Sequence, residues 1–395
     1  MTAIAIGISV AVLDGAIANV ALPTIAQDLN VNPASSIWVV NAFQLAVTIS
    51  LLAFSSLGDL WGYKKVYVGG LLLFSITSLI CALSDSFWTL VLARGLQGFG
   101  AAAITSVNTA LLRIIYPSRL LPRGMGTNAL IIAVAAAAGP TVAAGILSVA
   151  PWPWLFAINV PIGLTAFILS AKFLPHNPVK VEGQRFDVPS AILNALTFGL
   201  LISCIDGFAH DIRLYILIPG ILVMLSFGYF FIRRQLHHPF PLLPVDLMKN
   251  RTFSLSVVTS VVAFIAQMLA LVSVPFFFQR ILHLNEVETG LLLTPWPIAT
   301  MISAPLAGRL MSRMNAGLLG GIGFGTFLTP NNSTIIASAP PNRSGGASGM
   351  LGMARLLGQT IGAAAAAIMF AVFPTNGMRI SLTFGAGFAI LWRTE

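Results

Sequence analysis

Apolar runs long enough to cross a bilayer recur along almost the whole chain, and very few folds accommodate them. They fall near residues 3–23, 37–58, 66–84, 87–112, 125–149, 154–174, 188–207, 214–232, 253–279, 289–311, 317–337 and 350–373, with a short last one near 379–392. A helix needs about 20 apolar residues to cross the hydrocarbon core. Inside that core every backbone N–H and C=O must be satisfied within the protein, which leaves helices or a closed barrel. The alternating pattern of a barrel strand is absent, so the expectation is an all-α membrane protein. Composition agrees: 57% of the 395 residues are hydrophobic and only 8% charged, against about 25% charged in soluble proteins. A cytosolic enzyme, a secreted disulfide scaffold and a disordered chain are excluded for the chain as a whole.

The formal charge is +9. On a soluble protein that excess would suggest nucleic acid; here it reads as cationic loops on the cytoplasmic face. Lys64 and Lys65 follow the second run, Arg113, Arg119 and Arg123 the fourth, Lys172, Lys180 and Arg185 the sixth. Arg233, Arg234, Lys249 and Arg251 follow the eighth, and Arg309 and Arg313 the tenth. The intervening connections hold Asp28, Asp85, Asp206, Asp211, Glu286 and Glu288, with Arg213 and Arg280 as their cations. This alternation predicts a cytoplasmic N-terminus. That N-terminus enters an apolar run at once, as a first span does rather than a cleaved leader. Cys81 and Cys204 both lie in apolar runs, as buried free thiols do. The five histidines show no metal-ligand spacing, so no metal is expected.

Polar breaks divide the chain into a first six-helix half (1–174), a linker (175–187), an inserted helix pair (188–232), a second linker (233–252) and a second half (253–395). The halves share a motif. Pro117 follows Asn108 by nine residues and Arg119 follows Pro117 by two; Asn332, Pro341 and Arg343 repeat that spacing, and a glycine-rich stretch follows each. A second pair of turns, at Asp59 and at Ser312, also corresponds. Asp59 to Asn108 is 49 residues and holds two spans, whereas Ser312 to Asn332 is 20 and holds one. About 29 residues are therefore expected to be absent near 318–326, and the complete layout is expected to have fourteen spans arranged six, two and six.

Charge inside a span is costly, which makes it the first place to look for chemistry. Asp14 lies in the middle of the first run. Desolvation disfavours its charged form, which suits it either to carrying a proton or to permanent pairing with an internal cation. Arg94 is the matching cation. It begins a stripe of Arg94, Gln97, Ala101, Thr105 and Asn108 on one face of the fourth span. Such a stripe faces either a cavity or another helix. Asn41, Gln44 and Thr48 share a face of the second span and are candidates for the same space. Gly139 and Pro140 sit in an Ala/Gly-rich fifth span, where small residues allow close approach and proline permits a bend. Asp59, in the turn with Gly62 and Lys64, is placed to pair with cations or face a helix N-terminus. No phosphate-binding loop of the ATPase type and no catalytic triad is present, so neither ATP drive nor enzymatic activity is expected.

Together these residues resemble the major facilitator superfamily, in its fourteen-span drug:proton antiporter branch. Leu13, Asp14, Asn19 and Pro23 are similar to the branch's first-span motif, and Arg94, Gly95, Gln97 and Gly98 to its fourth-span motif. Gly139 and Pro140 resemble the antiporter motif of span five. Trp152, Trp154, Phe156, Asn159, Pro161 and Gly163 resemble the span-six signature. The resemblance implies two pseudo-symmetric six-helix halves plus two inserted helices. It implies proton coupling at Asp14, tuned by Arg94, a cytoplasmic gate around Asp59, and a bend at Gly139 and Pro140. The chain departs from the gate motif at Ser55, Leu60, Tyr63 and Ser312, and has Ala143 and Ala144 where span five often has glycine. The expected function is proton-coupled efflux of lipophilic, cationic compounds by a monomer in a bacterial inner membrane. The cofactor expectation is none, and the partners are the substrate, protons and the bilayer, without nucleic acid. Asn41, Gln44, Gln97, Asn108, Gln267, Phe277 and Trp296 are the candidates for the cavity lining. The alternatives are an exporter of a metabolite or lipid-like solute, and a non-transporting receptor or scaffold.

Overall fold

Twelve long helices follow the apolar runs in the computed structural model, which describes residues 1–31, 33–175, 186–209, 214–238, 241–283, 288, 292, 295–311, 324–373 and 380–385. They are α1 (Thr2–Asp28), α2 (Trp38–Trp61), α3 (Tyr63–Ala82), α4 (Phe87–Ile115), α5 (Leu121–Leu147) and α6 (Pro153–Phe173, with a break at Ile158). Then come α7 (Val188–Ala209), α8 (Leu214–His237), α9 (Arg251–Arg280), α10 (Pro295–Leu310), α11 (Phe324–Ser338) and α12 (Ser344–Val372). No strand occurs among the described residues. The expected linker at 175–187 and last run at 379–392 fall largely outside them, as do Ser312 and the 318–323 part of the expected gap.

Local chemistry sets the helix ends. Gly62 has φ 104°, a conformation that favours glycine, and it breaks the apolar run into α2 and α3. Ser86 caps α4 by accepting from Thr89 N, and Asn250 caps α9 by accepting from Thr252 N and Phe253 N. Pro23, Pro140, Pro219, Pro275, Pro305 and Pro330 sit inside helices. Neighbouring helices make such prolines tolerable in spanning segments.

In the first half α4 is central: it packs on α2 and α3, while α1 packs on α5 and α6. In the second half α9 packs on α12, and α10 on α11. The halves meet along two seams, α2 with α12 and α5 with α10. Glycine makes both possible. A Cβ at Gly349 would lie 2.3 Å from the Ser55 hydroxyl, and one at Gly352 3.0 Å from Leu51. At the other seam a Cβ at Gly308 would lie 2.6 Å from the Pro122 carbonyl. Lipid is as apolar as leucine, so close contact of small residues, rather than transfer from water, favours helix association there. The inserted α7 and α8 pack on each other, and α7 docks on α2, where Asn194 donates to the Ile49 carbonyl at 2.7 Å.

One feature of the second half breaks the alternation of spans. Gly308 packs on Pro122 at the end of α10, and Arg113 donates to the Ala339 carbonyl just past the end of α11. Both helices thus finish beside the 116–120 connection, and they run parallel. Consecutive spans usually alternate in direction, so the parallel α10 and α11 are an exception, and the 312–323 segment between them lies outside the described residues.

Candidate functional site

Three polar assemblies stand out, one inside the first half and two where the halves meet. The first surrounds Asp14, which is 1% exposed in the middle of α1. Arg94 on α4 donates from Nη1 to Asp14 Oδ2 at 2.6 Å and from Nε to the Val39 carbonyl at 3.1 Å. Gln97 Nε2 donates to Asp14 Oδ1 at 3.1 Å, and Asn159 Nδ2 on α6 donates to the same oxygen at 2.7 Å. Gln97 in turn accepts from Arg94 Nη1 at 2.6 Å and bonds the Ser78 hydroxyl at 2.7 Å. The guanidinium lies over the rings of Phe43 and Phe156, 4.3 and 5.4 Å from their centroids. A buried carboxylate in hydrocarbon is tolerable only when paired and hydrogen-bonded in this way. Arg94 Nη2 has no hydrogen-bond partner, so the network is short of saturation.

The span-six residues explain their own spacing. Trp152, Phe156 and Asn159 share a face of α6. Trp152 donates to Asp28 at the end of α1 at 2.7 Å, Phe156 lies beneath Arg94, and Asn159 reaches Asp14. Gly139 adjoins this region: a Cβ there would fall 2.4 Å from the Ala16 Cβ, so α5 touches α1 two residues from Asp14. Pro140, one residue on, is exposed.

The second assembly is a cavity of about 350 Å³ between the halves. Thr105, Asn108, Asn128, Gln267, Asn332 and Arg355 supply its polar wall, and Leu51, Phe264 and Phe324 part of its apolar one. Asn108 and Asn332, the repeat-related pair, both face it. Of the expected lining, Asn108 and Gln267 are there. Gln97 is not: it is fully buried in the Asp14 network. Asn41 and Gln44 are also outside, and Gln44 is exposed. They share a helix face with Leu51 but lie two to three turns away, about 10–15 Å along α2. Phe277 packs on Phe278, centroids 6.2 Å apart, and Trp296 lies one turn from the lining residue Thr300. The stripe on α4 is thus divided by depth, Arg94 and Gln97 at the acid, Thr105 and Asn108 at the cavity.

The third assembly closes the end of the bundle that holds the basic loops. Asp59 accepts from Gly345 N at 2.8 Å and Gly346 N at 3.0 Å, at the N-terminus of α12. Tyr63 donates to Asp59 at 2.7 Å and accepts from Gly345 N at 3.1 Å. Tyr63 is one of the departures from the gate motif, yet its hydroxyl joins the contact. Arg343 lies 3.8 Å from Asp59 and donates twice to Asp246, at 2.8 and 3.0 Å. Arg113 crosses to the other half, donating to Ser344 at 2.9 Å and the Ala339 carbonyl at 2.7 Å, and Thr109 bonds Ser348. Gly62 forms the turn beneath, and Lys64 beside it is half-buried. A Cβ at Gly345 would lie 2.4 Å from Asp59 Oδ1, so glycine is what lets the carboxylate reach the helix N-terminus.

Asn159, Tyr63, Asn128, Asn332, Arg343 and Arg355 were not among the expected site residues. Arg355 had a clear signal, being the one charge within the 350–373 run.

The family model of the Major Facilitator Superfamily matches residues 4–319. The chain belongs to this superfamily. It is 57% identical to the uncharacterised transporter YebQ of Escherichia coli, over 98% of this chain and 92% of the relative. That match runs over 421 residues, more than the 395 present here. The riboflavin transporter RibZ of Clostridioides difficile is 29% identical (93% of this chain, 87% of the relative). The tetracenomycin C resistance and export protein of Streptomyces glaucescens is 26% identical (97% and 78%). Among solved structures, the human organic anion transporter MFSD10 superposes with a TM-score of 0.66 at 14% identity, covering 100% of this chain and 97% of that one. Its likeness shows the fold alone.

Proposed function

We propose that this superfamily member is a bacterial inner-membrane exporter that exchanges protons for lipophilic small molecules by alternating access. The observation that carries the reading is Asp14, buried where α1, α4 and α6 meet and held by a partner from each of the last two. Protonation removes the charge that pairs Arg94 and weakens the hold on α1. The Gly139–Ala16 contact passes a shift of α1 to α5, which forms one of the two seams. Proton and substrate then favour different arrangements of the halves, and that differential binding is the coupling. The basic loops make the end closed by Asp59, Tyr63 and Arg343 the cytoplasmic one, with the N-terminus on that side. The fourteen-span layout is supported by the parallel α10 and α11 and by the longer extent of the YebQ match. The protein acts as a monomer, with the site between its own halves.

The cationic cargo expected from the sequence is not carried forward, because the cavity lining holds an arginine and no carboxylate. Export of a metabolite remains the alternative within the same mechanism, since one relative is named as a riboflavin transporter. The test uses proteoliposomes with an imposed pH gradient and a panel of lipophilic dyes. Asp14→Asn is expected to abolish gradient-driven transport while leaving dye binding intact. Gradient-driven transport equal to that of the parent protein would refute proton coupling at Asp14.

A further inference from the structure

We infer that the central cavity selects amphiphilic solutes with an anionic group, a carboxylate or phenolate on an aromatic or apolar body, and that Arg355 is the residue that receives it. This deepens the proposed transport function and rests on it for the identity of the cavity as the substrate site.

The charge inventory is one-sided. Arg355 lines the cavity from α12 and makes no ion pair or hydrogen bond with any described residue. The lining contains no Asp or Glu. Among the described residues, the second-half helices 251–280, 295–310, 324–338 and 344–372 contain no acidic residue. In the first half, Asp14 is committed to Arg94 at 2.6 Å and Asp59 to the N-terminus of α12, and both lie outside the cavity wall. Arginine stays protonated, so it cannot shed its charge as a buried lysine would. A guanidinium that meets no protein counter-charge in a cavity between helices favours an anionic occupant. The structure thus contrasts two arginines. Arg94 is neutralised by the protein itself, and Arg355 is left for something that enters.

The rest of the wall fits the same solute. Gln359 is one turn beyond Arg355 on α12, and Gln267 and Asn332 also line the space, so neutral donors share the cavity wall with the guanidinium. Phe264 and Phe324 meet edge to face, 5.7 Å between centroids, and form an apolar wall for a ring. Arg355 offers a planar fork matched to a carboxylate's two oxygens. A cation in this cavity would meet like charge with no counter-ion. An anion leaving as a proton enters would move net positive charge inward, so an inside-negative potential would drive export together with the pH gradient.

The test is equilibrium binding to the purified full chain, without any gradient, which separates it from proton coupling. The probes are charge triplets on naphthalene, biphenyl and xanthene frames, each as carboxylate, carboxamide and ammonium. The expected result is at least a ten-fold preference for carboxylate over ammonium on one or more frames. Arg355→Gln should remove that preference, and Arg355→Lys should keep part of it. Thermal melting of both variants reports whether they are folded, and the lysine variant keeps the charge if the glutamine variant is unstable. The proposal is overturned if no carboxylate binds more tightly than its ammonium partner, or if the preference survives Arg355→Gln in a folded protein. Loss of transport in Asp14→Asn with carboxylate preference intact would leave both readings standing. Anion-selective binding without any proton dependence of transport would remove only the proton antiport.

Discussion

Asp14 and Arg94 are a pair in which each residue makes the other tolerable. Removing one partner of a buried ion pair strands the other, at a cost of about 3–5 kcal/mol, whereas replacing both is often nearly neutral. Arg94→Gln is therefore expected to lower thermal stability strongly, because Asp14 would keep only Gln97 and Asn159 as donors. The double variant Asp14→Asn/Arg94→Gln should recover most of that loss. Melting of the two variants in the same detergent checks this, and a double variant no more stable than the single one would show that the pairing is not what stabilises α1 against α4.

At the level of helices, the seams depend on where a methyl group fits. Gly345 and Gly346 are adjacent but not equivalent. A Cβ at Gly345 would meet Asp59 at 2.4 Å and the Ser55 carbonyl at 2.6 Å, while one at Gly346 would meet nothing nearer than 3.6 Å. Gly345→Ala should open the α2–α12 contact and raise the labelling rate of cysteines placed along it by about ten-fold, the effect of losing about 1.4 kcal/mol of closure. Gly346→Ala should leave labelling close to the parent rate. The inserted pair has its own latch. Burial pushes the Asp187 carboxyl up, but hydrogen bonds from Arg234 and Ser190 outweigh it and hold it below the usual carboxylate range. A group depressed in the folded state contributes stability above its unfolded pKa, about 3.9, and that stability is lost as pH falls through the lower folded value. Acidification below pH 4 should therefore loosen α7 from α8 in the parent, and Asp187→Asn should show the looser state at neutral pH, read by proteolysis of the 233–252 connection.

At the scale of the whole molecule, the two halves are bridged at one end, and the proposed alternating access requires that bridge to break during each cycle. Thr109 and Ser348 face each other across it. In a background lacking Cys81 and Cys204, a disulfide between Thr109→Cys and Ser348→Cys is expected to stop transport and a reductant to restore it. Transport that continues through the cross-link would exclude alternating access through this end. The expected shortfall in the second half also belongs to this scale, where α10 and α11 run parallel. Reading the coding sequence across 312–323 is expected to reveal about 29 further residues, the difference between the repeat-related spacings of 49 and 20. An uninterrupted coding sequence there would refute the shortfall.

The sequence by itself determined the solvent, the number and place of most spans, the acid and cation inside them, and the superfamily. The first three follow from the cost of moving charge or unpaired backbone into hydrocarbon, a property of composition along the chain, and the superfamily from the resemblance of motif residues such as Asp14, Arg94, Gly139 and Pro140. Helical periodicity also told which residues share a face, as for Arg94, Gln97, Thr105 and Asn108. It could not tell what each depth of that face meets. Tertiary structure decided that Arg94 and Gln97 are sealed around Asp14, that Asn108 and Asn332 face a cavity, that Tyr63 serves the Asp59 contact despite departing from the motif, and that Arg355 meets no ion-pair or hydrogen-bond partner among the described residues. The reason is physical: periodicity is local, whereas pairing, burial and electrostatic balance depend on groups brought together from helices up to 287 positions apart, as between Asp59 and Gly346.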